Sequence, residues 1–298
     1  MNRSSRGALY ILIAALMFGS YGVWSRLLGP SFGIFYQGWT RALLISIILF
    51  PLLYYTKQII PIKKSDWRWM SIFLIFTSLT QAPLFYAFNH MDIGTATLLF
   101  FVSMLLTMYV VGFGFLNEKL NKVKFTSFLI AFVGLYITFS FSLIAFSLLA
   151  ASMAVLNGIA SGGEVSFSKK LSGSYSPLYI SWISWIIIVI TNAPISFLLH
   201  EPQLLPSFNV AWLYWIGYTI ASILGFWLII KGLKYVEASI GGLLGLLEVV
   251  FSILFGILLF NESLTIKVVA GALLILSAAS LPHLIDLIKK NPRKIISA

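Results

Sequence analysis

Apolar residues run through this chain in blocks of about twenty, separated by short polar or Gly- and Pro-bearing segments, and they do not alternate with polar ones. Ten blocks can be drawn, near 7–27, 33–55, 68–89, 93–116, 124–141, 147–168, 178–199, 210–232, 238–260 and 266–287. About twenty helical residues at 1.5 Å each cover the hydrocarbon thickness of a bilayer. Continuous rather than alternating hydrophobicity selects helices over barrel strands. Both solutions satisfy the backbone internally where no water is available to do so. Punctuation between blocks comes from Gly29-Pro30, from Lys57 to Asp66 with Pro61, from Lys119-Leu120-Asn121-Lys122, from Ser172-Gly173-Ser174, and from Glu201-Pro202 with Pro206. The stretch from Phe125 to Phe167 holds one charge, Glu164, and is too long for one helix. A turn within Ser140-Phe141-Ser142 is predicted there.

Composition agrees with the pattern. Apolar residues make up 59% and charged residues 10% of 298, where a soluble domain carries about 25% charged residues. The prediction is an all-α polytopic membrane protein of ten transmembrane helices. Placing the N-terminus inside puts sixteen Lys and Arg in cytoplasmic segments and only Arg26 and Lys267 outside. That bias requires an even number of spans and puts both termini in the cytoplasm. It also explains the net charge of +11 as a topology signal, so no nucleic-acid partner is implied. The basic start, Met1 to Arg6, leads into a full-length span with no small-residue cleavage site, as expected of a retained helix. With no cysteine in the chain, disulfides, thiolate metal sites and cysteine nucleophiles are excluded.

Two short motifs organise the rest. Leu116-Asn117-Glu118-Lys119-Leu120 is echoed 144 residues later by Phe260-Asn261-Glu262-Ser263-Leu264. Their approaches are also alike, Ala87-Phe88-Asn89-His90-Met91-Asp92-Ile93-Gly94-Thr95-Ala96 and Lys231-Gly232-Leu233-Lys234-Tyr235-Val236-Glu237-Ala238-Ser239-Ile240. Residues 1–143 and 144–298 therefore read as two five-helix repeats. Five is odd, so the second repeat enters the membrane inverted. Inverted repeats place a site near the midplane and open it to alternate sides.

With these features the chain resembles the drug/metabolite transporter superfamily, specifically the EamA-type ten-helix carriers. The resemblance covers essentially the whole chain and rests on the two halves, on Gly19 to Trp24 followed by Arg41, and on the two Asn-Glu motifs. Leu247-Glu248 is similar to the start of the family's Leu-Glu-Pro element, with Val249 where proline is usual. The resemblance implies a secondary transporter carrying a small organic metabolite, often an exported amino acid, through a central cavity in the plasma (inner) membrane.

Charged groups deep in a membrane cost about 2.5–3.5 kcal/mol or more and call for a reason. Glu248 lies about ten residues, ~15 Å, into the ninth span, placed to meet an ammonium group or carry a proton. Glu164, in Ser161-Gly162-Gly163-Glu164, holds the repeat position of Tyr21. Arg41 and Lys231 are candidates for a substrate carboxylate, with snorkelling to the surface the other reading for Lys231. Tyr21, Trp24, Tyr86, Phe101 and Trp227 could supply aromatic walls for an amphiphilic or cationic cargo; Gln81, Asn89, Thr97 and Asn157 could supply hydrogen bonds. Glu118 and Glu262, at matching boundary positions, are expected to cap or tie a neighbouring helix. Trp67, Trp69, Trp212 and Trp215 fall at span ends, as interfacial belts do. His90 and Asp92 read as polar residues of an external helix end.

No phosphate-cradling loop, zinc-protease pair or nucleophile elbow is present in the sequence, and the three histidines are scattered. The expectation is a transporter, not an enzyme, with no cofactor or metal. Its partners are a small metabolite, the bilayer and, through a buried carboxylate, protons. Export of organic cations or drugs and lipid flipping are the alternatives.

Overall fold

Helix ends in this chain are written by single residues. Ser147, Ser176 and Asn209 open three helices by accepting from the backbone N–H groups of Ala150 (3.3 Å), Tyr179 (3.1 Å) and Trp212 (3.1 Å), the usual N-cap arrangement. Four helices, one of them the helix that Ser176 opens, close among the described residues on a residue with left-handed backbone: Lys57, Asn117, His200 and Asn261, all at φ of 53–54°. A left-handed residue turns the chain so that orphaned carbonyls of the last turn find donors. Thus Gln58 N–H reaches Leu53 O (2.9 Å) and Glu201 N–H reaches Ser196 O (3.0 Å).

The structure, a computed structural model, describes residues 3–28, 32–80, 82–91, 93–139, 147–261 and 264–290, without the side chains of 84, 85, 89, 283 and 286–290. The expected turn near Ser140 lies outside these residues. The described chain forms α1 (Arg3–Gly19), α2 (Tyr21–Leu28), α3 (Ile34–Tyr55), α4 (Trp67–Ser78), α5 (Ala82–His90), α6 (Ile93–Phe115) and α7 (Lys122–Phe139). It continues with α8 (Leu148–Leu171), α9 (Pro177–Leu198), α10 (Val210–Leu233), α11 (Ala238–Gly245), α12 (Leu247–Phe260) and α13 (Ile266–Lys290). Among the described residues, eight segments are long and apolar enough to cross a membrane, counting α1–α2 and α11–α12 as one each. The interval near 68–89 is divided into α4 and α5, and in the last interval Ile266–Pro282 is a shorter apolar stretch. Large apolar side chains such as Ile47, Val110, Phe113 and Leu258 face outward, as lipid-facing surface does.

Packing follows a small set of pairs. α6 lies on α8, α7 on α13, α3 on α9 and α1 on α10. α8 also packs on α4 and α5, while α1 packs on α11 and α12. Small residues permit the closest approaches. At the α7–α13 crossing, a Cβ on Gly134 would stand 3.0 Å from the Gly271 carbonyl, and one on Gly271 would stand 2.7 Å from that of Gly134.

Three spans are interrupted. α1 passes into α2 at Ser20, whose hydroxyl donates to Met17 O (2.6 Å). α4 gives way to α5 after Leu79, whose carbonyl accepts from Asn157 Nδ2 (3.2 Å). α11 passes into α12 at Leu246, with no proline at 249. Gly241, Gly242 and Gly245 precede this break and lower helix propensity enough for the turn. The belt reading of Trp212 and Trp215 is corrected: both are buried, in an aromatic cluster with Phe32 and Tyr36. Chain returning between α9 and α10 covers them, with Tyr36 Oη donating to Leu204 O. Trp67 is exposed as expected.

Candidate functional site

Two of the interruptions meet the same group of side chains. Tyr21 follows the Ser20 break, and Glu248 stands in the first turn after the Leu246 break. α1 and α12 touch here: a Cβ on Gly19 would lie 2.8 Å from both Glu248 O and Phe251 Cβ. Arg41 reaches the site from α3. Its start is fixed by Glu201, which accepts from Phe35 N–H (3.1 Å) and Tyr36 N–H (2.6 Å). The fourth member is Tyr218 of α10.

The Arg41 guanidinium carbon stands 3.6 Å from the Tyr218 ring centroid and 5.7 Å from that of Tyr21. The two rings meet edge to face, with centroids 4.8 Å apart. Arg41 is 4% exposed, yet its Nε and Nη1 are buried without a hydrogen-bond partner. Tyr21 interacts electrostatically with both Arg41 and Glu248 and lies beside Ser222, whose own hydroxyl donates to Tyr218 O (2.8 Å). Glu248 itself has no hydrogen bond or ion pair among the described residues. A fixed planar cation with free donors, two aromatic faces and an unpaired carboxyl thus converge on helix breaks. Such a set can bind a carboxylate, a flat ring and a cationic group on one small molecule.

A second polar cluster surrounds Glu164 on α8. Ser184 Oγ donates to Glu164 Oε1 at 2.7 Å, and Thr77, whose hydroxyl donates to Phe73 O (2.9 Å), stands beside the carboxyl group. Its members match the first cluster by sequence position. Tyr21 and Glu164 are 143 positions apart, as are Arg41 and Ser184, while Thr77 and Ser222 are 145 apart.

The remaining expected residues are dispersed. Lys231 lies thirteen residues beyond Tyr218 on α10, ~20 Å along a helix. Its Nζ sits over the rings of Trp227 (4.4 Å) and Tyr10 (4.8 Å), so of the two candidates for a cargo carboxylate it stands apart from the Arg41 group. Trp24 borders the first cluster, donating from Nε1 to Ser20 Oγ (3.0 Å) and packing its ring on Gly217. Phe101 belongs to the apolar cluster that holds Leu246 and Leu247 and so backs the α11–α12 break. Asn157 holds the α4–α5 break and keeps a buried Oδ1 without a partner. Tyr86 stacks on His90 with centroids 4.1 Å apart, and the Thr97 hydroxyl donates to Ile93 O (2.8 Å); neither touches the Arg41 group. Gln81, Asp92 and Glu262, and the side chain of Asn89, lie outside the described residues.

Glu118 does cap a helix. Its carboxylate accepts from the N–H groups of Ala238 and Ser239 (3.1 Å), from Ser239 Oγ (2.7 Å) and from Lys169 Nζ (3.0 Å). Burial pushes this carboxyl up, but Lys169 and the hydrogen bonds outweigh it and hold the group below the ordinary carboxylate range. Beside it Lys124 pairs with Glu237. The sequence reading missed Tyr218, Ser222 and Glu201. Tyr218 was hidden in a Trp- and Tyr-rich stretch that resembles a belt. Glu201 carried a signal that went unused, as a lone acid just past a helix end.

Comparison with known proteins follows the same lines. A family model for the EamA-like transporter family matches residues 5–140 and 148–281. The chain is 26% identical over 279 residues to a protein of Rickettsia conorii (strain ATCC VR-613 / Malish 7) named S-adenosylmethionine uptake transporter, covering 91% of this chain and 90% of the relative. A protein of the same name from Rickettsia bellii (strain RML369-C) is 26% identical over 283 residues, covering 92% of each. A solved crystal structure superposes with a TM-score of 0.75 at 16% identity, over 94% of this chain and 97% of the other; it is similar in fold.

Proposed function

The chain belongs to the EamA-like transporter family, and from that membership we propose that it is a ten-span alternating-access carrier of an amino-acid-derived organic cation. S-adenosylmethionine is the first candidate. It joins an α-carboxylate and ammonium to a sulfonium and a flat adenine, and each finds a complement at the site. Arg41 offers two free donors for the carboxylate. Tyr21 and Tyr218 offer faces for the ring or the sulfonium. Glu248 offers an unpaired carboxyl for positive charge. The observation that carries the reading is Arg41, buried with donors unfilled beside Tyr218. Such a group is costly in the absence of an acceptor.

Several features support two inverted five-helix halves, 1–143 and 144–298, with both termini cytoplasmic. The four left-handed residues form two pairs, Lys57 with His200 and Asn117 with Asn261, 143 and 144 positions apart. The helix contacts pair off in the same sense. The fourth span lies on the sixth as the ninth lies on the first, and the third lies on the sixth as the eighth lies on the first. The Lys and Arg bias supplies the orientation. The sequence pointed to amino-acid export, whereas the names of the Rickettsia relatives specify uptake. A single site offered to two sides serves either, and the cargo gradient sets the direction.

The test is counterflow in proteoliposomes. Vesicles loaded with unlabelled S-adenosylmethionine should accumulate the labelled compound transiently. Arg41→Ala and Glu248→Gln, shown to be folded, should lose that accumulation by about tenfold or more, the equivalent of one charge-assisted contact. Accumulation unaltered by both substitutions would remove the site. No counterflow of S-adenosylmethionine or of any amino acid by folded wild type would remove the cargo class.

A further inference from the structure

Glu164 is the one carboxyl among the described residues that is buried in the helical bundle, hydrogen-bonded, and without a cation. It is 7% exposed. Its hydrogen-bond partner is the Ser184 hydroxyl on α9, with Thr77 of α4 beside it. Close packing seals it: a Cβ on neighbouring Gly163 would enter the Phe76 ring, and one on Gly162 would stand 2.5 Å from Met104 O.

The charged groups on every element packed against α8 are engaged elsewhere. Lys169, on α8 itself, bonds to Glu118 and Val236 O. Lys170 and Arg68, on α8 and α4, lie against Trp69. On α10, Lys231 lies over Trp227 and Tyr10. On α5, His90 stacks on Tyr86. α6, α9 and α11 contribute no Lys, Arg, Asp, Glu or His. An ionised carboxylate in such a place would be desolvated with only hydroxyls to compensate it, and a buried acid of that kind is held in its neutral form.

Tyr21, in the matching position, is not so isolated. Its ring centroid lies 5.7 Å from the Arg41 guanidinium carbon and it interacts electrostatically with Glu248, where two helices are broken. In a carrier whose halves exchange conformations, the environment that Tyr21 has now is the one Glu164 enters after the exchange. The packing of its helix against Phe76 and Met104, which seals it here, is opened in the exchanged conformation. A carboxyl alternating between these settings takes up a proton in one and releases it in the other.

We infer that Glu164 is a proton-binding site whose loading and unloading accompany the conformational exchange, so that cargo movement is coupled to one proton per cycle. The coupling rests on the carrier reading above; proton binding at Glu164 is measurable without any cargo. The first experiment is infrared difference spectroscopy of the purified full chain during a pH titration, comparing wild type, Glu164→Gln and Ser184→Ala. Wild type should show a protonated-carboxyl band that titrates reversibly. The band should vanish in Glu164→Gln and move in Ser184→Ala, which keeps the acid and removes its donor. A band that survives Glu164→Gln, or wild type without a titrating band, would overturn the assignment, whatever the cargo.

The second experiment uses proteoliposomes with labelled S-adenosylmethionine and an imposed pH gradient. Glu164→Gln should retain counterflow within about threefold, because exchange needs no net proton movement, while accumulation driven by the gradient should fall to the equilibrating level. Gradient-driven accumulation in Glu164→Gln equal to wild type would overturn the coupling. A wild type that shows counterflow but ignores the pH gradient would do the same. Absence of all counterflow would count against the cargo and leave the spectroscopic result standing.

Discussion

Arg41 lies against Tyr218 with its guanidinium carbon 3.6 Å from the ring centroid, and two of its nitrogens end there with nothing to donate to. The contact is favourable by about 2 kcal/mol when desolvated. Each unfilled donor costs about 1–3 kcal/mol. The costs outweigh the contact, so the residue is held at the expense of stability, as binding sites are.

Arg41→Met should therefore leave thermal stability unchanged or raise it by about 1 kcal/mol, while transport falls by about tenfold or more. Melting of the purified protein beside flux in vesicles checks both. A large loss of stability would instead make Arg41 a structural cation.

Glu118 should behave in the opposite way. Its carboxyl is held below the ordinary range in the folded protein. Its contribution is then fully present above the ordinary carboxylate range and is lost as pH falls through the depressed value. Glu118→Gln, which leaves Lys169 with the Val236 carbonyl but without its acid, should cost about 3–5 kcal/mol at neutral pH. It should also flatten the acid side of the stability curve. Melting temperature against pH for the two proteins is the measurement, and parallel acid limbs would refute the assignment.

Asn117 closes α6 in the left-handed region at φ 54°. Glycine adopts that backbone without strain, and a β-branched residue does not. Asn117→Gly should be neutral or slightly stabilising, and Asn117→Val should destabilise by about 1–2 kcal/mol. Chemical denaturation of the pair separates the backbone effect from any loss of the asparagine side chain.

Gly134 and Gly114 offer a matched contrast. A side chain at 134 would meet α13, whereas a Cβ at 114 meets nothing within 4 Å. Gly134→Leu should prevent α7 and α13 from docking and lower the yield of monodisperse protein. Gly114→Ala should gain up to about 1 kcal/mol from helix propensity. Size-exclusion profiles and melting temperatures report both outcomes.

Much of the architecture was legible in the sequence because a bilayer reduces the alternatives to a few. Long apolar runs mark the helices, and the helix bounds fall within a few residues of most of the intervals drawn from hydrophobicity alone. Glu118 was legible as a cap because it recurs at a helix boundary, where only backbone N–H groups need an acid. The division after Ser78 was not legible, since Asn157, the residue that bonds to Leu79, lies 78 positions away. Tyr218 and Ser222 could not be assigned, because an aromatic or hydroxyl residue in a span reads alike whether it faces lipid, a helix or a cavity. Arg41 and Glu248 stood out by charge alone, and only the folded chain shows that Tyr21 lies near both. The α11–α12 break arises without the proline that sequence comparison looks for, through glycines spread over the preceding turn.

Glu118 takes the first N–H groups of a helix that begins 120 positions later in the chain, and α1 packs on α10, α11 and α12. During synthesis the earlier half therefore enters the bilayer with an acid lacking its amides and a helix lacking its neighbours, and it waits there until the later spans emerge. The protein cannot mature in the order in which it is made. A ribosome stalled after α9 would leave an inserted but unfinished molecule, exposing small-residue helix faces and a carboxylate with Lys169 but without its amides. These are features by which membrane quality control could distinguish a truncated product from a finished one.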